Sequence, residues 1–561
     1  MQALALRLSS GAFIPRVRWR LRTPMFVLAW ALFNAVAYHV PLYLFGIEHL
    51  DVASWGAGVT LLTLFVLVAA MTALFTGVVS LIVPRLVKPL CMVMAIANAI
   101  ALYFVVTYGV VLDETMMGNA FNTNTAEAAG LFHPWMLVYA FCLGIVPCWV
   151  LLQVEVTRTP FFKRLVMPIA VGVFTLCWAY GASQSWLWID KHAKHLGGMV
   201  LPWSYVVNAG RYLAGKAAPH ERKLLPAAHF VSNEKKVVFL VIGESARAQN
   251  FSLYGYGRQT NPAVAKAGAT VFRKARSCAT YTTASLECIL AHQEPGARAM
   301  WEPLTSYLQR HGVDVIWRTN NAGEPAMDVR HFERLGDLKA GCTGEACDYD
   351  EGLLRGIEAR IAASDQQRIL VVFHLEGSHG PAYNVRYPPR FNVFTPVCAS
   401  VQLHQCSSDE LINAYDNTIV YTDFVVGQAI DVLKGLQGYS TSLIYVSDHG
   451  ESLGEYNLYL HGTPWTIAPD VQKEIPLIVW DSSAPHSNAN TTLTVEGAFS
   501  HANVFHSVMG AFGMRSDIFE PELDLFSAAA LRPAMAPSPV AGGNSSPTPA
   551  SAGGPSPTRQ R

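Results

Sequence analysis

Several apolar runs in this chain end on acidic residues or histidines. "VVFLVIGES" reaches Glu244, "LVVFHLEGSHG" reaches His379, "SLIYVSDHG" reaches Asp448 and His449, and "LYLHGTP" adds His461 a short loop later. Carboxylate oxygens and imidazole nitrogens gathered in one crevice are the donor set of a divalent transition metal, with zinc ahead of manganese. Any one of these side chains alone reads as a solvated loop residue or a cap; their recurrence after run upon run argues for a site. A second stretch, "SCATYTTASLEC", sets four hydroxyls, those of Thr280, Thr282, Thr283 and Ser285, between Cys278 and Cys288. Metal binding lowers the pKa of a hydroxyl and turns it into a nucleophile for covalent catalysis. Thr282 follows the strand-like "ATVFRKARS", where a next helix would offer its first amides to a phosphoryl anion. Composition leaves Thr280, Thr283 and Ser285 nearly as good, and all four could instead cap or pack a turn.

Chemistry of this kind needs a scaffold that brings distant loops together. The runs "KVVFLVIG", "VDVIWR", "RILVVFHL", "TSLIYVS" and "IPLIVW" read as buried strands, separated by segments of helical character such as "DELINAYDNTIVYTDFVVGQAIDVLKGL". Continuous apolar strands alternating with helices imply an α/β fold, a mostly parallel sheet covered by helices on both faces. Such sheets bind ligands beyond the carboxyl ends of their strands, which is where the acids and histidines fall.

The remainder is a membrane sequence. With 51% hydrophobic and 15% charged residues over 561 positions, the chain is too apolar for one soluble globule. Five runs, Met25–Ile47, Ala57–Val83, Pro89–Val111, Pro134–Val154 and Leu165–Leu187, approach the length of about 20 residues that a spanning helix requires. The first is too long for a cleaved signal peptide and lacks a small-residue cleavage site. Arg7, Arg16, Arg18, Arg20 and Arg22 precede span one, Arg85 and Lys88 follow span two, and Arg158, Lys163 and Arg164 follow span four. The alternate loops carry Glu48, Asp51, Asp113, Glu114 and Glu127 without Lys or Arg, so the large part after span five is expected outside the cytoplasm. The zero formal net charge and the lack of a basic stripe with interleaved aromatics give no sign of a nucleic-acid partner.

Cysteine placement agrees with that topology. Cys91, Cys142, Cys148 and Cys177 lie in the spans, whereas Cys278 with Cys288, Cys342 with Cys347 and Cys398 with Cys406 form close pairs. In an oxidising compartment such pairs read as local disulfides, and none has the spacing of a zinc knuckle. Four regions follow: a membrane part over 1–189, a connector lying on the membrane surface over 190–234, a catalytic part over 235–526, and a Pro/Gly/Ser/Ala-rich tail over 527–561 expected to be disordered.

Taken in order, "VIGESARAQNFSLYGYGRQTNP", "SCATYTTASLEC", "HLEGSHGPAYNVRYP", "VCASVQLHQCSSDELINAYDNTIVYTD", "VSDHGESLGE" and "YLHGTPWTIAPDVQ" resemble the signatures of the phosphoethanolamine transferases, which include lipid A modifying and colistin-resistance enzymes. The resemblance covers nearly the whole chain. It implies an alkaline-phosphatase-like catalytic domain on a five-helix membrane domain in the bacterial inner membrane, facing the periplasm. The implied reaction takes phosphoethanolamine from phosphatidylethanolamine and gives it to lipid A or the lipopolysaccharide core, which reduces polymyxin binding. It implies one zinc site of Glu244, Thr282, Asp448 and His449, with Thr282 as nucleophile. His379 and His461 match histidines that bind the phosphoryl group or a second zinc and protonate the leaving diacylglycerol oxygen. In "NAFNTNTAE" the matching loop residues are Asn119, Thr123 and Glu127, implied to bind the lipid headgroup. Departures are Ala279 and Glu287, where relatives commonly carry Gly and Pro, a bulkier Tyr281, and "RTNNAGEPAMD", which keeps Asn320 and Asn321 but lacks the Ser and Lys of some relatives. Two other readings compete: a phosphoglycerol transferase or sulfatase-like hydrolase on the same scaffold, and a non-catalytic membrane scaffold. A sulfatase would need a Cys or Ser nucleophile, which the Thr282 context does not provide.

Overall fold

The computed structural model describes residues 19–51, 53–122, 131–157, 159–217, 222–293, 301–484 and 492–527. The expected tail beyond 527 lies outside them. Among the described residues, four helices are long and apolar enough to cross a membrane: α3 (Trp55–Ile82), the Pro84–Tyr108 segment that contains α4 (Val87–Tyr108), α6 (Pro134–Gln153) and α7 (Phe161–Gly181). The first expected span is broken. It consists of α1 (Thr23–Ala37) and α2 (Val40–His49), which meet at 54°. Pro41 in the first turn of α2 has no N–H to donate to the preceding turn, and the chain leaves helical geometry at Tyr38 and His39. The His39 ring supplies a replacement, with Nδ1 2.9 Å from the Asn34 carbonyl. The fifth expected span stops early, at Gly181, and short helices take over.

Two ends of the bundle differ in chemistry. At one, β1 (Trp19–Arg22) pairs in parallel with β2 (Val154–Thr157), Lys88 donates to the Val154 carbonyl at 2.9 Å, and Arg164 bonds the Ser80 carbonyl. The basic segments assigned to one side from sequence therefore converge there. At the other end lie α5 (Glu114–Asn122), α8 (Trp186–Lys191), α9 (Ala193–Met199) and α10 (Trp203–Ala217), with Phe121 of α5 stacked on Tyr212 of α10 at 5.6 Å. Here the membrane part touches the α/β part. Gly109 caps α4 at φ +69°, and a Cβ on it would stand 3.0 Å from the Asn457 carbonyl.

The α/β part is built on one eight-stranded sheet. In chain order its strands are β3 (Lys236–Gly243), β4 (Thr270–Arg276), β5 (Asp314–Thr319), β6 (His331–Arg334), β7 (Arg368–His374), β8 (Ser440–Ser447), β9 (Leu477–Asp481) and β10 (Leu493–Ser500). In space the order is β10-β4-β9-β8-β3-β7-β5-β6, and within this sheet only β9 runs antiparallel to its neighbours. Both faces are covered, because alternate residues of β3 enter different cores. Val237, Phe239 and Val241 pack with the 28-residue helix α12 (Ser408–Gly435), which opens on a capping box of Ser407 and Glu410. Val238, Leu240 and Ile242 pack with α11 (Thr282–Ile289) and α13 (Ala502–Ala511). The three cysteine pairs are disulfides, and Cys91, Cys142, Cys148 and Cys177 are free.

Candidate active site

The register of the central strands sets two carboxylates side by side. Gly243 of β3 pairs with Ser447 of β8, so the next residues, Glu244 and Asp448, leave the sheet together with His449 behind them. All three have no exposed surface. Gly377, in the loop after β7, allows this crowding: its φ is +52°, and a Cβ there would lie 3.0 Å from the backbone N and O of Glu244. From the other side comes α11, whose first residue is Thr282. The Cys278–Cys288 disulfide ties the approach to this helix to its last turn.

Four donor atoms converge. Thr282 Oγ1 lies 3.0 Å from Glu244 Oε2 and 3.4 Å from His449 Nε2, which in turn is 3.4 Å from Glu244 Oε1 and 3.1 Å from Asp448 Oδ2. His449 Nδ1 sits 2.9 Å from the Gly450 carbonyl, which can only accept, so Nδ1 carries a hydrogen and Nε2 is the atom aimed at three oxygens, where a metal ion would take the place of a proton. Asp448 Oδ2 is buried without a hydrogen-bond donor. Such an arrangement is repulsive unless a cation joins it. Burial would lower the His449 pKa, but the Asp448 and Glu244 charges outweigh it and raise the group to about 10, while His449 holds the Asp448 carboxyl well below its usual range despite burial. A tetrahedral ion with ligands at about 2.0 Å has ligand-to-ligand edges of about 3.3 Å. The observed separations fit it, and Glu244, Asp448 and His449 form one of the clusters able to hold a metal ion.

The other hydroxyls of "SCATYTTASLEC" point elsewhere. Thr280 donates to the Thr463 carbonyl at 2.6 Å and Ser285 to the Ala279 carbonyl at 3.4 Å, while Thr283 packs its methyl toward Gly323. Tyr281, the bulky departure, lies beside Gly118 of α5.

His379 and His461 close one side of the cluster, with ring centres 5.7 Å apart, and the His461 ring is 4.2 Å from that of His449. Three residues absent from the sequence-based metal set join them. Glu451 accepts from Tyr383 Oη at 2.6 Å through Oε1 and lies 2.9 Å from His461 Nδ1 through Oε2. Ser245 donates to Glu244 Oε1 at 2.8 Å, and Asn321 donates through Nδ2 to Glu244 Oε2, also at 2.8 Å. The only sequence signal for Glu451 was its place in "DHGES", two residues beyond His449. Of the expected headgroup residues, Asn119 lies in α5, whereas Thr123 and Glu127 fall outside the described residues.

Beyond the two histidines opens a cavity of about 570 Å³. Its walls are Ala97, Ile100, Ala101, Phe104 and Tyr108 of α4, Met116, Met117 and Ala120 of α5, Phe132, Met136 and Tyr205, with His379, Gly380, Leu460 and His461 at the end near the cluster. A path lined almost wholly by carbon thus runs from a membrane helix to the donor atoms.

A hydroxyl poised at a buried metal-type cluster above a sheet of this topology defines a transferase or hydrolase of the alkaline-phosphatase and sulfatase class. Residues 236–514 match the family described as "Sulfatase", and residues 60–217 match that described as "Phosphoethanolamine transferase EptA/EptB". The phosphoethanolamine transferase EptA of Helicobacter pylori is 37% identical over 508 residues, covering 89% of this chain and 95% of that protein. EptA of Escherichia coli K12 is 32% identical over 476 residues, 78% of this chain and 85% of that protein. Among solved structures, the integral membrane lipooligosaccharide phosphoethanolamine transferase A of Neisseria meningitidis superposes with a TM-score of 0.82 at 26% identity, covering 92% of this chain and all of that one. The chain belongs to the phosphoethanolamine transferase family and is a multi-pass membrane enzyme of the transferase class.

Proposed function

We propose that the protein moves phosphoethanolamine from phosphatidylethanolamine to lipid A or the lipopolysaccharide core, from the outer face of a bacterial inner membrane, through a covalent intermediate on Thr282. The observation that carries this is the carbon-lined cavity leading from α4 and α5 to His379 and His461, next to the one hydroxyl of its loop that reaches Glu244 and His449. A diacyl phospholipid matches both ends, with its chains against the membrane wall and its phosphodiester at the cluster. In this reading residues 1–189 hold the enzyme in the bilayer, 190–234 connect, and 235–526 carry the chemistry.

Glu244, Asp448, His449 and Thr282 would hold a zinc ion, which would supply a Lewis acid to offset phosphoryl charge. The residues do the rest. The Thr282 hydroxyl hydrogen is directed at Glu244 Oε2, which takes the proton as Oγ1 attacks phosphorus. As the P–O bond to diacylglycerol breaks, His379 or His461 gives that oxygen a proton. Phosphoethanolamine then rests on Thr282; a phosphate or sugar hydroxyl of the acceptor attacks phosphorus and gives its proton to the deprotonated histidine, while Glu244 returns its proton to Thr282 Oγ1 as the P–O bond to Thr282 breaks. Confinement of donor, acceptor and enzyme to one membrane raises their effective concentrations. An ammonium added to each acceptor phosphate lowers its negative charge and with it the binding of cationic peptides such as polymyxin.

Incubation with phosphatidylethanolamine and no acceptor, followed by peptide mapping, is expected to place the phosphoethanolamine mass on Thr282. Thr282→Ala should abolish transfer with folding retained. The mass on another residue, or full activity in Thr282→Ala, refutes the assignment. Mass spectra of lipid A and core from cells with and without the protein identify the acceptor.

A further inference from the structure

The membrane part contains a polar chain that the chemistry above does not use. Tyr205 Oη donates to Asn98 Oδ1 at 2.9 Å, Asn98 Nδ2 donates to Asn34 Oδ1 at 2.8 Å, and Asn34 Nδ2 donates to Thr72 Oγ1 at 3.1 Å and to the Leu201 carbonyl at 3.3 Å. His39 closes the circuit, with Nδ1 2.9 Å from the Asn34 carbonyl and Nε2 accepting the Leu201 N–H at 3.0 Å. Asn34, His39, Thr72 and Asn98 have no exposed surface. In hydrocarbon no water can replace a lost partner, so polar groups placed this way hold each other firmly.

We infer that this chain is a latch that positions the connector helix α10, and through it the wall of the donor-lipid cavity. Its anchors sit on three membrane elements: Asn34 on α1, Thr72 on α3 and Asn98 on α4. Its two attachment points on the connector are the Leu201 backbone, just before α10, and Tyr205 in the first turn of α10. Tyr205 is at once the last member of the chain and a wall of the cavity. Further along α10, Tyr212 stacks on Phe121 of α5, the helix that contributes Met116, Met117 and Ala120 to the same cavity. Two of the cavity's walls therefore take their positions from the latch. Helix association is served by packing and by hydrogen bonds between neighbouring helices; this circuit also ends on a residue that faces the cavity. Asn34, Asn98 and Tyr205 are accordingly positioning residues, distant from the phosphorus and acting through the fit of the lipid.

The inference rests on the reading that the cavity takes the donor lipid, and the experiment separates the two. The full-length protein in phosphatidylethanolamine nanodiscs is compared with Asn98→Leu, Tyr205→Phe and the double variant, by hydrogen exchange over residues 203–213 and by the kinetics of diacylglycerol release. Tyr205→Phe keeps the ring in the wall and removes only the bond, so it remains informative if Asn98→Leu folds poorly. Tyr205→Phe is expected to speed exchange in α10 and to raise KM for the donor about three- to tenfold, the effect of one interhelical hydrogen bond, and Asn98→Leu, which also removes the bond to Asn34, to do so at least as much, with kcat retained in both. Because Asn98→Leu already removes the bond to Tyr205, the double variant should be no worse than Asn98→Leu. Unchanged exchange, additive losses, or a fall in kcat at constant KM overturns the latch. If the unaltered protein releases no diacylglycerol, the donor reading fails, and the exchange rates still decide the latch.

Discussion

Asn321→Ala is expected to weaken metal binding and slow transfer together, although Asn321 lies outside the metal set inferred from sequence. Its Nδ2 donates to Glu244 Oε2 at 2.8 Å, the same oxygen that accepts the Thr282 hydroxyl at 3.0 Å, and it also bonds the Leu375 carbonyl at 3.0 Å. Its Oδ1 accepts the Ala322 N–H at 2.8 Å, which fixes the amide orientation. A hydrogen bond to a charged acceptor contributes about 1.5–3 kcal/mol. At about 1.4 kcal/mol per factor of ten, its loss predicts a decrease of roughly ten- to hundredfold, the range found when groups orienting a metal ligand are removed. Zinc affinity is measured by competition with a chromophoric chelator and turnover by diacylglycerol release, both on the full-length protein. Asn321→Asp should be worse, because it sets a third carboxylate against Glu244 and Asp448. Thr280→Ala, which loses only a bond to the Thr463 carbonyl, serves as the control. If Asn321→Ala changes zinc affinity and kcat by less than about threefold, the argument that this bond aims Glu244 is wrong.

Two further outcomes follow from the fold. The Cys278–Cys288 disulfide closes a loop with a sequence separation of 10; a closure of that length contributes about 3 kcal/mol, so the double change to Ala should lower the thermal midpoint by roughly 5–10 °C and slow transfer, and an unaltered midpoint would count against a constraining role. Ala101→Phe adds six ring carbons inside the 570 Å³ cavity; donor chains gain little by leaving one hydrocarbon medium for another, so the effect is steric, KM should rise for a two-chain donor more than for a single-chain one, and equal KM values for both would place the donor elsewhere.

What the sequence revealed and what it hid have physical causes. Strands β3, β5, β7, β8 and β9 were legible because strands covered on both faces are apolar throughout. The "LTVEGAFS" and "HFER" segments were not, because they form the sheet edges, where outward residues are polar. The break in the first span was missed because an apolar run reports length and not direction, and the turn at Pro41 is completed by a side chain, His39. Glu244, Asp448 and His449 were legible from their places after strands. Composition could not separate Thr282 from Thr280 and Ser285, since what separates them is where each hydroxyl points. Asn321 and Glu451 gain their roles from Glu244, 77 residues away, and from Tyr383, 68 residues away, relations that no local pattern carries.

The membrane part does more than anchor. In the proposed mechanism a phosphoryl group resting on Thr282 faces two competitors, water and the acceptor, and a transferase must disfavour the first. Glu244, Asp448 and His449 have no exposed surface, so water gains no access through them. On the side where the site opens, beyond His379 and His461 the walls are mostly carbon, from Ala97, Ile100, Phe104, Met116 and Met117, with the hydroxyls of Tyr108 and Tyr205 the polar groups on the membrane side and that of Tyr205 already bonded to Asn98. Ordered water needs two to four polar partners, which walls made mostly of carbon offer at few points, so the space suits acyl chains better than a column of water. On the proposed function, supply of the donor and exclusion of the competing nucleophile have one structural origin, the meeting of α4 and α5 with the carboxyl edge of the sheet. The contact between Gly109 at the end of α4 and the Asn457 backbone, four residues before His461, belongs to the same arrangement, because it holds the end of that wall against the loop that carries the histidine.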